Sequence, residues 1–306
     1  MKVLLAGATG AIGRPLVRRL VEAGHEVTGL TRRPERARRL EAAGARGVVC
    51  DVIDRAATLA VVEEAAPDVV MDQTTALPQK YDARKMWRFY EGMVELRLRG
   101  TPNLIEAAQQ FGAGIAFQSV AFEYAPKGNG RLCTEDDPVY EKDAPFPWDL
   151  ALPAIVALER RVVDLGGLVL RYGMFYGPGT HFDEGGQIHE DVRRRRMPIV
   201  GGGTGVFSFI HVEDAAAATV LALERGVTGI LNVVDDQPLP MREWLPDYAR
   251  ALGARKPFRV PAWPVRRMAP LAAHWATTLP GASNGRARRE LGWAPERPSI
   301  REGIRA

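Results

Sequence analysis

Three glycines, Gly7, Gly10 and Gly13, limit what this chain can fold into more than any other feature. They follow the apolar run Val3 to Ala6 and open a segment in which Ile12, Leu16, Val17, Leu20 and Val21 recur at helical spacing. The first stretch predicts a buried strand and the second a helix that buries one face. A turn free of Cβ atoms between them lets the backbone approach a phosphate closely. The helix N-terminus then offers unpaired N–H groups and the positive end of its dipole. The spacing, G-x-x-G-x-x-G, is a variant of the G-x-G-x-x-G pattern, and the ligand it predicts is the pyrophosphate of a dinucleotide.

The same alternation continues through the first half. "HEVTGL", "GVVC", "DVVMDQ", "GIAFQS" and "GLVLRYG" predict strands. "PERARRLEAAG", "TLAVVEEAA", "GTPNLIEAAQQFG" and the stretch Ala151 to Leu165 predict the helices between them. Strands alternating with helices at this spacing predict an α/β fold: a Rossmann-type doubly wound parallel sheet covered on both faces. Past about Gly177, glycine, proline and aromatic residues rise in "YGPGTHF", "GGGTGVFSFIH" and "VPAWPVRRMAP". The division predicted is a Rossmann domain over 1–176 and a smaller substrate-binding lobe over 177–306, partly interleaved with the core through helices at Asp214 to Arg225 and Met241 to Leu252.

Composition narrows the partners. The 306 residues carry 41 basic and 37 acidic side chains, and the basic ones are scattered, so neither nucleic acid nor a membrane surface is expected. An acidic small molecule suits the net charge of +4 better. The run Arg193 to Arg196 predicts a solvated face. Two cysteines, Cys50 and Cys133, stand far apart without metal-ligand spacing, so no metal site is expected and a reducing cytoplasm is the predicted compartment. The apolar start after Lys2 is too short for a signal peptide.

At the end of the second predicted strand comes "LTRRPE". An acidic residue there would bind the ribose hydroxyls of NAD. Arg32 and Arg33 predict NADP instead, because guanidinium groups bind a 2′-phosphate. The alternative is that they begin a basic surface helix.

With these segments in order, the chain resembles the extended short-chain dehydrogenase/reductase superfamily, the NAD(P)-dependent epimerase/dehydratases. The resemblance covers nearly the whole length. "GATGAIG" is similar to the cofactor fingerprint, and "FQSVAFEY" to the fifth strand with its active-site serine. "LRYGMFYGPGT" is similar to the segment beside the nicotinamide, and "FIHVEDAAAA" and "SNGRARRELGWAP" to later signatures. The resemblance implies NADP(H) contacts from Gly7, Thr9, Gly10, Ala11, Ile12 and Gly13. It adds Asp51 and Val52 near the adenine, Gln73, Thr74 and Thr75 on the ribose side, and Tyr172, Gly173 and Met174 by the nicotinamide. Family members are often dimers, so a homodimer is expected, with no interface legible.

The family's Tyr-x-x-x-Lys pair is missing. Aligning Glu159 with the glutamate that closes the family stretch puts Ala151 at the tyrosine and Ile155 at the lysine. The one Tyr-x-x-x-Lys spacing, Tyr81 and Lys85, lies on a different predicted segment. The resemblance makes Ser119 the family serine. Tyr124 can act as general acid with Lys127 nearby, or pack in the pocket wall. Trp148, Tyr176, His181 and His211 are the residues expected at the substrate, although histidines so placed are more often structural, and His211 can be a buried hydrogen-bonding residue beside Phe209. Asp136 and Asp137 predict a turn before Pro138. Three functions stay open: an NADP-dependent oxidoreductase or epimerase/dehydratase-like enzyme using a non-standard proton donor on a small carbonyl or alcohol; a non-redox isomerase, cyclase or lyase; and an NADP-sensing regulator.

Overall fold

A computed structural model describes residues 1–78, 80, 86–127, 130–140 and 143–304, with only the backbone at 86–89. The first half runs β1 (Lys2–Ala6), α1 (Gly13–Glu22), β2 (Glu26–Thr31), α2 (Pro34–Ala42), β3 (Arg46–Val49), α3 (Arg55–Ala65) and β4 (Val69–Asp72). It continues through α4 (Met86–Glu95), a π-helical turn at Leu96–Gly100, α5 (Thr101–Gln110), β5 (Gly114–Val120), α6 (Trp148–Asp164) and β6 (Leu168–Tyr172). The second half holds β7 (Met174–Tyr176), α7 (Gln187–Arg193), β8 (Ile199–Val200), β9 (Val206–Phe207), β10 (Phe209–His211), α8 (Val212–Glu224) and β11 (Gly229–Val233). The chain then forms β12 (Leu239–Pro240), α9 (Met241–Ala251), β13 (Arg259–Val260), α10 (Ala262–Met268), α11 (Pro270–Thr278), α12 (Gly285–Leu291) and α13 (Ile300–Gly303).

Seven strands form the central sheet in the order β11-β6-β5-β4-β1-β2-β3. Every pairing in it is parallel, with Leu5 opposite Gly29 on one side and Met71 on the other. Strands buried on both faces need apolar residues throughout, and β1 and β4 supply them. One face packs Val3, Leu5 and Leu170 against Leu16 and Leu20 of α1 and Ala215 and Ala218 of α8. The other packs Leu4, Val70 and Phe117 against Val62 of α3, Leu104 of α5 and Leu158 of α6. The sheet order reverses between β1 and β4, which leaves a crevice at their carboxyl ends where ligands bind in such sheets.

The smaller lobe is built from three two-stranded ladders, β7 with β10, β9 with β12 and β8 with β13. Its core stacks Phe182, Phe207, Phe209, Trp244 and Tyr248. Between these pieces the chain returns to the central sheet as β11, paired with β6 from Gly229↔Leu168 to Val233↔Tyr172.

The predicted helix starting at "GTPNL" is α5, but α4 and the π-helical turn lead into it. The tyrosine–lysine spacing at Tyr81 and Lys85 lies outside the described residues.

Candidate active site

The turn from β1 to α1 sits in the crevice, and its glycines are there for space. Gly7 has φ +84°, and a Cβ on it would stand 2.3 Å from the Gln73 carbonyl oxygen. A Cβ on Gly13 would stand 2.2 Å from the Gly7 oxygen and 2.6 Å from the Ala8 carbonyl carbon. Backbone cannot yield at those distances, so β1, α1 and the loop after β4 touch there only through glycine. Gly10 closes the turn by donating to the Gly7 oxygen at 3.0 Å. No side chain caps α1 at Ile12. Thr9 and Ala11 are half-buried in this turn, and Ile12 is buried beneath it. A cradle of backbone amides at an uncapped helix start fits a pyrophosphate.

The loop after β4 is pinned by a buried network. Asp72 is wholly buried and Arg97, from the π-helical turn, is 4% exposed. Thr101 donates to Asp72 Oδ2 at 2.6 Å, and the Thr74 amide donates to Oδ1 at 2.9 Å. Arg97 reaches Asp72 at 3.4 Å, Thr101 at 3.1 Å and the Thr74 carbonyl at 3.0 Å. Burial lowers the Arg97 pKa and the Asp72 charge works against that fall. Neither residue stood out in the sequence, although π-helical turns often mark functional sites. Gln73 donates to Tyr172 Oη at 3.3 Å while its own Oε1 has no partner among the described residues, and Thr75 is exposed.

Arg32 and Arg33 are exposed at the end of β2, and neither guanidinium has an ion-pair partner among the described residues. Arg33 ends the extended stretch before α2, its amide donating to Thr31 Oγ1 at 3.4 Å. Asp51 is exposed one loop away and accepts from the Ile53 amide at 3.1 Å. Val52 is buried, its carbonyl held by Asn103 at 2.8 Å.

At the end of β6 the Tyr172 side chain packs on the α8 face, its hydroxyl 2.6 Å from Thr219 Oγ1 and accepting from Gln73. The hydroxyl is thus satisfied within the protein, and the backbone of Tyr172 is left for the expected cofactor contact. Gly173 has no room for a Cβ, with the Ser208 oxygen at 2.8 Å, and Met174 is half-buried beside it.

Tyr124 takes the second of its two expected roles. It is fully buried, donates to Asn232 Oδ1 at 2.6 Å and accepts from Arg171 at 3.0 Å. Burial drives its pKa up. Arg171 also binds Glu159 at 2.5 Å and Glu123, a charged knot that joins β6, α6 and the segment after β5. Burial opposes the Arg171 charge, but the two carboxylates outweigh it and hold the guanidinium charged. Tyr124 is therefore a wall residue in a structural network, because its phenol is spent and faces no solvent. Lys127 pairs with Asp137 rather than Tyr124. Asp136 binds Arg286 at 2.7 Å, and the turn expected before Pro138 is present, the Asp137 amide donating to Thr134 at 3.1 Å.

His211 and Tyr176 also leave the substrate list. His211 caps α8, its Nδ1 accepting from the Glu213 amide at 3.2 Å. Burial, then the Arg297 charge, lower its pKa to about 4, so the ring stays neutral. Tyr176 is buried against the His211 ring, centroids 5.1 Å apart, and donates to the Ser299 carbonyl at 3.3 Å. His181 is half-buried, with its pKa lowered by burial, and its carbonyl organises the start of α7 by accepting from Ile188 at 2.9 Å.

Ser119 and Trp148 are different. Ser119, opposite Arg171 in the sheet, is 2% exposed and its Oγ has no partner among the described residues. Trp148 starts α6, its ring edge-on to Tyr90 at 5.7 Å, with an indole N–H that also lacks a partner among them. Ala151 and Ile155 belong to the same apolar cluster, 0% and 4% exposed, with Tyr90, Met93, Leu152 and Leu271. No residue of α6 is tyrosine or lysine. Where the resemblance puts a proton-transfer pair, the helix presents a hydrocarbon wall.

A profile of the NAD dependent epimerase/dehydratase family matches residues 3–233. The chain belongs to that family. Among relatives of this epimerase/dehydratase-family chain, the 3-diazoavenalumate denitrifying reductase of a Streptomyces species is 45% identical over 309 residues, covering 99% of both chains. The 2-alkyl-3-oxoalkanoate reductase of Stenotrophomonas maltophilia is 28% identical, covering 100% of this chain and 98% of the relative. The fold is similar to that of the Thermus thermophilus UDP-glucose 4-epimerase, solved with NAD, at a TM-score of 0.77 and 25% identity over 100% of this chain and 97% of that one. Among the described residues no group of side chains is placed to hold a metal ion, and no helix is long and apolar enough to cross a membrane.

Proposed function

We propose that this protein is an NADP(H)-dependent reductase of a small, largely apolar substrate, and that the substrate is a diazo acid of the kind named in its 45%-identical relative. The observation that carries the reading is the cradle at the sheet's switch point, which closes only with glycine at positions 7 and 13. Gly7 to Gly13 would hold the pyrophosphate, the loop Gln73 to Thr75 would face the ribose, and Arg32 and Arg33 would bind a 2′-phosphate. When bound, the dinucleotide supplies a hydride.

Replacing a diazo group by hydrogen consumes one hydride and one proton and releases dinitrogen. On a diazo arene with a conjugated ring oxygen, the carbon that carried the group exchanges its bond to nitrogen for one bond to the hydride's hydrogen, and the proton goes to that oxygen. The departing group is dinitrogen rather than a developing alkoxide. A lysine-supported tyrosine beside the reacting atom is then unnecessary, and the apolar face of Ala151 and Ile155 fits such a group. It also keeps water away from a reactive substrate. Ser119 Oγ and the Trp148 indole N–H are buried polar atoms left for the substrate to satisfy. The proton comes from a side chain outside α6.

The test is direct. Purified protein is mixed with NADPH or NADH and a panel of diazo arenes, ketones and enones, following cofactor absorbance and gas release. NADPH oxidation with one equivalent of dinitrogen is expected, at least ~10-fold faster than with NADH, given the usual worth of a charge-assisted contact. Tight NADPH binding without turnover across the panel would refute the reductase reading. Turnover of ketones alone would remove the diazo substrate.

A further inference from the structure

Tyr140 and His274 lie 134 positions apart, yet Tyr140 Oη is 2.6 Å from His274 Nε2. Their rings meet edge to face with centroids 5.8 Å apart. Thr278 determines which atom carries the proton. Its hydroxyl donates to the His274 carbonyl at 2.7 Å, so toward His274 Nδ1, at 3.0 Å, it can only accept. Nδ1 therefore carries the hydrogen, Nε2 bears the lone pair, and the Tyr140 phenol donates to it. Both side chains are half-buried, so the pair stays within reach of a ligand.

Their position matters as much as their geometry. Tyr140 packs against the cluster that holds Trp148, Ala151 and Ile155, where the resemblance puts the missing pair. Its amide donates to the Glu123 carbonyl at 3.0 Å, which ties it to the segment after β5. Trp275, beside His274, packs edge-on to Phe122 at 5.3 Å, and Phe122 lies 5.9 Å from Trp148. Two segments from distant parts of the chain thus bring a phenol and an imidazole to the rim of the cluster that holds Tyr90, Trp148, Ala151 and Ile155.

We propose that Tyr140 and His274 are the proton-transfer pair of this active site, Tyr140 giving the proton to the substrate and His274 resupplying it. The proposal rests on the reductase reading. In the step, His274 takes a proton from solvent at Nε2 and passes it to Tyr140 Oη. The Tyr140 O–H bond breaks as the new bond to hydrogen forms on the substrate. One proton leaves the protein, the phenol keeps its hydrogen, and His274 returns to the neutral Nδ1–H form. Burial pushes the Tyr140 pKa up to about 12 and, followed by the Arg266 charge, lowers that of His274. Both effects favour the neutral O–H···N pair between turnovers, and both disfavour a free phenolate.

Two readouts test the pair. In the first, Tyr140→Phe is compared with wild type on a substrate that wild type reduces. kcat is expected to fall at least ~100-fold, the usual size of a general-acid effect. KM and the NADPH Kd, read by tryptophan fluorescence, should change little. His274→Gln should follow the same pattern, and serves if Tyr140→Phe does not fold. In the second, nitrogen-15 NMR of the protein without substrate should show the Nδ1–H tautomer at His274, and Thr278→Val should disturb it. Undiminished kcat in both variants, a lowered Tm with unchanged kcat, or an Nε2–H tautomer in the wild type would overturn the pair. Wild type that oxidises no NADPH on any substrate defeats the reductase reading instead, and the tautomer measurement still judges the geometry.

Discussion

The β1–α1 turn and the first turns of α6 are built by opposite rules. The turn is backbone packed on backbone: Gly7 faces the Gln73 carbonyl and Gly13 faces the Gly7 carbonyl, at separations where one extra carbon has no room. The face of α6 is side chain packed on side chain. Ala151 and Ile155 fill it with Tyr90, Trp148 and Leu271. A site made from backbone admits few substitutions, so it keeps its ligand class. A site made from side chains can be rewritten while the helix and its packing stay in place, so the reaction can change on a constant frame.

The largest effect should come from breaking the rigid turn. Gly13→Ala drives a methyl into backbone and is expected to weaken dinucleotide binding by more than ~100-fold, or about 3 kcal/mol, by calorimetric titration. Unaltered affinity would mean that the turn is looser than its distances imply. Asp72→Ala strands the Arg97 guanidinium in the core, and a loss of about 3–5 kcal/mol in urea unfolding follows from removing one partner of a buried pair. Restoring a lysine on α6, Ile155→Lys, buries an unpaired ammonium. It should destabilise by about 2 kcal/mol or more without creating activity on ketones. Gained ketone turnover would show that the apolar wall is a blocked remnant rather than a fitted surface.

Smaller effects separate cofactor choice from structure. Arg32→Ala with Arg33→Ala should raise the NADPH Kd by about 10–100-fold and leave that of NADH nearly unchanged, since the loss of one charged contact in all is worth about 1.5–3 kcal/mol. Equal weakening of both would assign the arginines to the surface of α2. The smallest concerns pH. The His211 pKa falls from 6.5 unfolded to about 4 folded. Its contribution is therefore complete above about pH 6.5 and is lost as pH drops through about 4. In that window Tm should fall less steeply in His211→Asn, which keeps an acceptor for the α8 cap, than in wild type.

The parts of this molecule legible in the sequence are those whose information is local. Val3 to Ala6 and Val69 to Asp72 are short apolar runs, and short runs flanked by helix signals identify strands without knowledge of neighbours. The glycines of the seat work the same way, because the turn they permit lies within seven residues. Proximity to Ser119 in sequence could not decide between the two roles open to Tyr124, because it does not say what a side chain faces. Tyr124 faces Arg171 and Asn232, supplied from 47 and 108 positions away. Asp72 reads in the sequence only as the last residue of a strand, because its partner arrives through a π-helical turn, an irregularity that no helical periodicity announces. Tyr140 and His274 carry no spacing signal, since only the closing of the lobe brings them together.

The placement of β11 has a consequence for anyone recombining this enzyme with its relatives. It pairs along the whole of β6, and it falls in sequence between two sets of segments that together form the second lobe. A cut after Tyr176 would therefore strip the sheet of its outermost strand and leave β6 with an open, apolar edge, the kind of surface that recruits other chains. Exchange of the lobe as a cassette should yield aggregates. Chimeras should instead keep Gly229 to Val233 with the parent that supplies β6, and graft the segments on either side as two separate inserts.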